Sequence, residues 1–89
     1  MLLQNHPNPF NPVTRIGFGL PAAGHARITI FSIGGRLVRR LVDRDFDKGY
    51  HEVSWDGLDD AGGPASSGLY FYRLESDGAV ESRRMILSR

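Results

Sequence analysis

The 89-residue chain has no cysteine, which excludes disulfides and thiolate metal centres alike. A chain without cysteine does not reveal its compartment, because an exported domain need not carry disulfides. An excess of one charge is also missing. Eleven Lys and Arg stand against ten Asp and Glu, mixed along the chain, for a net charge of +1. That balance supplies no strong pull towards nucleic acid or a membrane surface, and neither is expected as a partner. No apolar run approaches the ~20 residues needed to cross a bilayer. The first residues lack the charged-then-apolar pattern of an export signal, so any such signal is expected elsewhere or upstream. A chain of this length makes one small domain, burying roughly 60–65% of its unfolded surface.

Proline is concentrated where the chain begins. In Asn5-His6-Pro7-Asn8-Pro9-Phe10-Asn11-Pro12 three prolines each fix φ near −65°, remove a donor and push the preceding residue out of the helical region. The asparagines between them favour Asx-turns. The segment is predicted to be extended, stiff and barred from the middle of a sheet. Residues 1–12 are expected to link the domain, residues 13–89, to something upstream, with Phe10 tucked beneath the body.

Beyond Pro12, short apolar-alternating or β-rich runs are cut by turn residues. Ile16, Phe18 and Leu20 alternate with Arg15, Gly17 and Gly19, which predicts a half-buried strand ended by Pro21. His25–Ile33 reads as a strand with Ala26, Ile28 and Ile30 on one face and an irregularity near Ser32. Arg36–Val42 carries apolar residues at helical spacing but is too short for a stable isolated helix. A strand with an irregularity is therefore expected there, then a polar loop over Asp43–Gly49. Tyr50–Trp55 alternates, with His51, Val53 and Trp55 on one face. The glycines, aspartates and Pro64 between Asp56 and Gly68 predict a long loop. Leu69–Glu75 is an aromatic-rich strand, Asp77-Gly78 a two-residue hairpin turn, and Ala79–Leu87 the last strand. Six or seven short strands at such spacing predict an all-β antiparallel sandwich.

Five segments, taken in order, resemble the C-terminal sorting domains of the bacterial type IX (Por) secretion system. They are Asn5–Pro12, Ile30–Val38, Gly49–Gly57 with Asp59–Gly62, Ser67–Leu74, and Arg84–Leu87. The Ig-like domain of the flagellar hook-capping protein shares the pattern. Ser32 stands where an aspartate is usual and Gly34 where a larger residue is common, both at a turn. The resemblance implies an Ig-like, fibronectin type III-like sandwich of about seven strands at the end of a larger exported protein. It also implies recognition by outer-membrane secretion machinery and a place at the outer-membrane surface. Proteolytic removal and transfer of the cargo to a surface lipopolysaccharide are compatible with it.

Few residues offer chemistry. Asp56, Asp59 and Asp60 fall in one glycine-rich loop and form a candidate calcium site, since hard cations take several oxygens from a flexible loop. The alternative is a set of Asx-turns shaping the connection. Trp55, Tyr50, Tyr70, Phe71 and Tyr72 could offer a sugar-stacking platform, but alternate strand residues face opposite ways and core packing is the simpler expectation. His6, His25 and His51 are scattered, no serine sits in a nucleophile elbow, and no glycine loop cradles phosphate, so no enzyme is expected. Arg36, Arg39, Arg40 and Arg44, interleaved with Asp43, Asp45 and Asp47, read as a solvated face. Arg83, Arg84, Met85, Ile86 and Leu87 are the candidate partner contacts, on a final strand that a partner could extend. Ordinary burial is the alternative for Met85 and Leu87. The expectation is a non-enzymatic sorting and surface-attachment module, with an assembly scaffold or spacer as the second reading and a carbohydrate-binding module as the third.

Overall fold

Apolar and polar residues that alternate between closely spaced turn residues favour short strands, and strands are what the chain forms. The computed structural model describes residues 1–89. It contains β1 Thr14–Leu20, β2 Gly24–Ser32, β3 Leu37–Phe46, β4 Gly49–Trp55, β5 Gly68–Ser76 and β6 Ala79–Leu87. Six strands is one fewer than the upper expectation. They make two antiparallel sheets, β1-β4 and β3-β2-β5-β6, facing each other as a sandwich. No helix is long and apolar enough to cross a membrane.

The core lies between the sheets. Ile16, Phe18 and Leu20 of β1 and Trp55 of β4 meet Ala26, Ile28 and Ile30 of β2, Tyr70, Tyr72 and Leu74 of β5, and Met85 and Leu87 of β6. Two edge-on aromatic pairs bridge the layers, Phe18–Phe46 at 5.1 Å and Trp55–Tyr70 at 5.7 Å between ring centroids. Tyr70 and Tyr72 point inward while Phe71 lies on the outer face, as the two-residue period requires. The β5–β6 hairpin turns at Asp77 and Gly78, whose φ values of 49° and 78° are both in the left-handed region.

β3 corrects one expectation and explains another. Asp43–Phe46, expected as loop, continues the strand and pairs with Gly24–Arg27. β3 is an edge strand, so Asp43, Arg44 and Asp45 stay in water while their backbone pairs on one side. Its register against β2 skips Leu41 and Val38. Each inserted residue shifts the side-chain phase, so the neighbours Leu41 and Val42 both pack on the core. That shift is the source of the helix-like spacing in the sequence.

The first twelve residues are not a separate linker. Leu2 and Phe10 are buried in the core, and Phe10 lies 5.6 Å from the Trp55 ring. The Leu3 and His6 N–H groups donate to Gly17 and Arg15 carbonyls on the free side of β1, and Met1 O accepts from Gly19 N. On the other side Phe10 N donates to Ile86 O, and Ser88 N donates to Phe10 O. Proline removes its own donor and leaves those of the residues between, which suffices to bridge two sheet edges. The His6–Pro7, Asn8–Pro9 and Asn11–Pro12 peptide bonds are cis.

Candidate functional site

Strand alternation decides the fate of the expected partner strand. Met85 and Leu87 point inward and are fully buried, so neither is available to a partner as a side chain. Arg83, Arg84 and Ile86 remain exposed, with Ile86 at 45%. The free edge of β6 is occupied by the chain's own beginning. Arg83 Nε donates to Leu2 O at 2.7 Å, Gln4 Nε2 to Arg84 O at 2.7 Å, and Ile86 N to Asn8 Oδ1 at 2.9 Å. Glu81 accepts from Leu2 N at 3.0 Å and pairs with the Met1 ammonium, which holds its carboxyl below the usual range. Strand addition at β6, expected from the sequence, would have to displace these bonds.

A closed polar network anchors the same segment from inside. The Tyr72 hydroxyl donates to Leu3 O and accepts from Asn5 N, both at 2.8 Å. Asn5 Nδ2 donates to Thr14 Oγ1 at 3.0 Å and to Pro7 O at 3.1 Å, and Thr14 Oγ1 donates to Pro7 O at 2.9 Å. Burial pushes the Tyr72 phenol up. Asn5 and Thr14 are thus buried polar residues with their partners supplied. Sequence reasoning read Asn5 only as a turn former, because its partners lie elsewhere in the chain.

The three loop aspartates do not converge on one point. Asp56 Oδ1 accepts from Leu58 N at 3.0 Å and faces Arg39 Nη1 at 3.4 Å. Asp59 Oδ1 accepts from Ala61 N and Gly63 N, the Asx pattern that closes the turn. Asp60 reaches β3 instead: its Oδ1 accepts from Arg40 N and its own N–H donates to Val38 O, so the loop covers part of that edge. No group of three His, Cys, Asp or Glu is arranged to hold a metal. The three carboxylates expected to hold calcium, Asp56, Asp59 and Asp60, thus form no convergent set, and one oxygen of each accepts from backbone N–H groups, with Asp56 and Asp60 also facing Arg39.

Two arginines that the sequence did not single out for structure hold this loop. Arg39 Nη1 also donates to Leu58 O at 3.1 Å, the carbonyl that accepts from Trp55 Nε1 at 2.9 Å. Arg89 donates to Ala65 O at 2.7 Å and Gly57 O at 2.9 Å. His25 stands exposed between Asp43 and Asp45, whose hydrogen bonds raise its imidazole above the ordinary value, while Asp43 is lowered by His25. His51 Nε2 donates to Asp47 O and its ring stacks near Phe18 and Phe46, while His6 bridges to Arg15 through its backbone. The three histidines stay apart. Tyr50 is exposed on the outer face of the small sheet, and Trp55, Tyr70 and Tyr72 are core, so the aromatics form no shared platform.

The class these elements define is an all-β, Ig-like sandwich tied across one side by its own N-terminal segment. The FlgD Ig-like domain family matches residues 8–79, and the chain belongs to that family. No curated protein matches the chain. Among solved structures, dimeric latent PorU from Porphyromonas gingivalis is similar at a TM-score of 0.77 and 19% identity, over 97% of this chain and 9% of that one. PorZ from Porphyromonas gingivalis, described as an essential bacterial surface component of the type IX secretion system, is similar at 0.66 and 22%, over 97% and 11%. FlgD from P. aeruginosa is similar at 0.68 and 20%, over 84% and 59%. The chain therefore spans less than two thirds of each, and at these identities the likeness is one of fold.

Proposed function

We propose that this domain is a non-enzymatic sorting and attachment module of a larger exported protein, recognised by type IX secretion machinery at the outer membrane. The observation that carries the reading is the form of the likeness. Nearly the whole chain, 97%, corresponds to about a tenth of PorU and of PorZ, so the same fold serves as one discrete part of large proteins. PorZ is a surface component of that secretion system, and five segments of this chain resemble its sorting domains in sequence. Recognition would be of a folded surface, since the N-terminal segment and β6 are stitched into the body. The partners are outer-membrane secretion proteins and the cargo domain of the same polypeptide, with neither nucleic acid nor membrane insertion involved. The test fuses residues 1–89 to the C-terminus of a reporter in a type IX-competent bacterium. Export of the reporter to the surface or medium supports the reading, and its retention in the periplasm overturns it.

The match to the FlgD Ig-like family favours a second reading, an assembly scaffold or spacer. The coding sequence upstream of Met1 separates the two. A signal peptide with a catalytic domain fits sorting, and flagellar sequence fits scaffolding.

A further inference from the structure

Alternation on the four-stranded sheet sends one set of side chains away from the core, and at the β2–β3 turn end that set is apolar. Leu37, Phe31, Phe71 and Arg84 form one cross-strand row, and Arg40, Thr29, Arg73 and Ser82 the next. Leu69 opposite Ile86 continues the patch, and Ile33 at the turn is 71% exposed. Two shallow depressions meet at Phe71 and Ser82, where a small side chain separates larger ones.

Charge is divided along this face. At the far end Asp43, Asp45 and Glu75 are partnered by His25, Arg27 and Arg73. Beside the apolar patch, Arg40 on one edge strand and Arg84 on the other form no ion pair. The uncompensated charges flanking the patch are thus both guanidinium groups, which suit carboxylates. A sugar ring fits poorly, because the Arg73 guanidinium already covers Phe31 at 4.7 Å from the ring centroid. Branched and aromatic groups in a shallow trough fit apolar side chains of a protein.

We propose that this face docks an acidic protein segment, extended across the strands, with apolar side chains over Phe71 and Ile33 and carboxylates reaching Arg40 and Arg84. The inference rests on the reading of the domain as a recognition module and supplies the surface and the partner chemistry that reading lacks. The probe is a synthetic peptide of alternating Asp or Glu with Phe or Leu, titrated into ¹⁵N-labelled residues 1–89. Saturable amide shifts are expected around Phe31, Ile33, Phe71, Arg84 and Ile86. Binding should weaken at least tenfold in Arg40→Glu/Arg84→Glu, in Ile33→Asp, and between 50 and 500 mM NaCl. These side chains are exposed or at the rim, and an unchanged spectrum confirms that each variant is folded.

Shifts elsewhere, no saturation, equal binding by the charge-reversed variant, or equal binding of a Lys-for-Glu peptide would overturn the proposal. So would alginate occupying this face where the peptide does not. The reporter fusion separates the two levels. If the wild-type domain is exported and the double variant equally so, the docking face falls while sorting stands. If the reporter is retained while the peptide still saturates this face, sorting falls while the docking face stands.

Discussion

Replacing Phe10 by alanine separates a stiff linker from a structural strap. The ring is 1% exposed, packs on Trp55, and its backbone bonds Ile86 and Ser88 at the end of β6. Truncating a buried phenylalanine costs about 3–5 kcal/mol in transfer and cavity energy together. A domain of 89 residues is expected to have about 4–13 kcal/mol of stability in all, at roughly 0.05–0.15 kcal/mol per residue. The substitution therefore removes about a quarter of it or more. With a guanidinium m-value of about 2–3 kcal/mol/M for a small domain, the midpoint falls by about 1–2.5 M. Trp55 fluorescence reports the transition directly, because the substituted ring is its neighbour. Val13→Ala is the control: Val13 is 48% exposed and should change stability by no more than about 0.5 kcal/mol. Equal midpoints for the two variants would show that residues 1–12 hang free of the body, and the account of the strap would be wrong.

Millimolar calcium should leave the melting temperature unchanged, because Asp56, Asp59 and Asp60 are spent on backbone donors and Arg39; a rise of several degrees in a calorimetric scan would restore the metal reading. Gly57→Ala should cost about 1–2 kcal/mol for its left-handed φ of 79°. Its new Cβ would in addition lie 3.0 Å from Pro12 O, so urea melts should show a loss at or above that figure, and a neutral result would refute the crowding. His25 is raised by Asp43 and Asp45, so its stabilisation is present below about pH 6.5 and is lost as pH rises through the higher folded value. Asp43 is lowered, so its share is present above about pH 4 and is lost as pH falls through the reduced value. Stability should then decline modestly from pH 6 to pH 8 in low salt, a slope that His25→Ala and 0.5 M NaCl should both flatten. Arg27, which also faces Asp43, keeps its charge throughout and should not add to the slope.

Much of the fold can be read locally because its causes are local. The alternation in Ile16–Leu20, Tyr50–Trp55 and Leu69–Glu75 sets which face is buried, and Asp77-Gly78 supplies the positive φ values the hairpin needs. Asp43–Phe46 was not legible as strand, because an edge strand tolerates the charges that mark a loop. The two skipped residues of β3 imitate a helical period, which no local rule separates from a helix without the partner strand. The aspartate cluster looked like a cation site for a related reason. Spacing places three carboxylates together, but hydrogen-bond partners decide where each oxygen points.

The sequence alone determined an all-β chain, the inward set of most strands, and the turns between them, since propensity, period and φ preference act within a few residues. Tertiary structure alone decided that the proline-rich opening straps the two sheets together, that β6 is already covered at its free edge, and that Arg40 and Arg84 flank one apolar face. Those relations join residues up to 81 positions apart, as Leu2 and Arg83 are, and only packing brings such groups into contact.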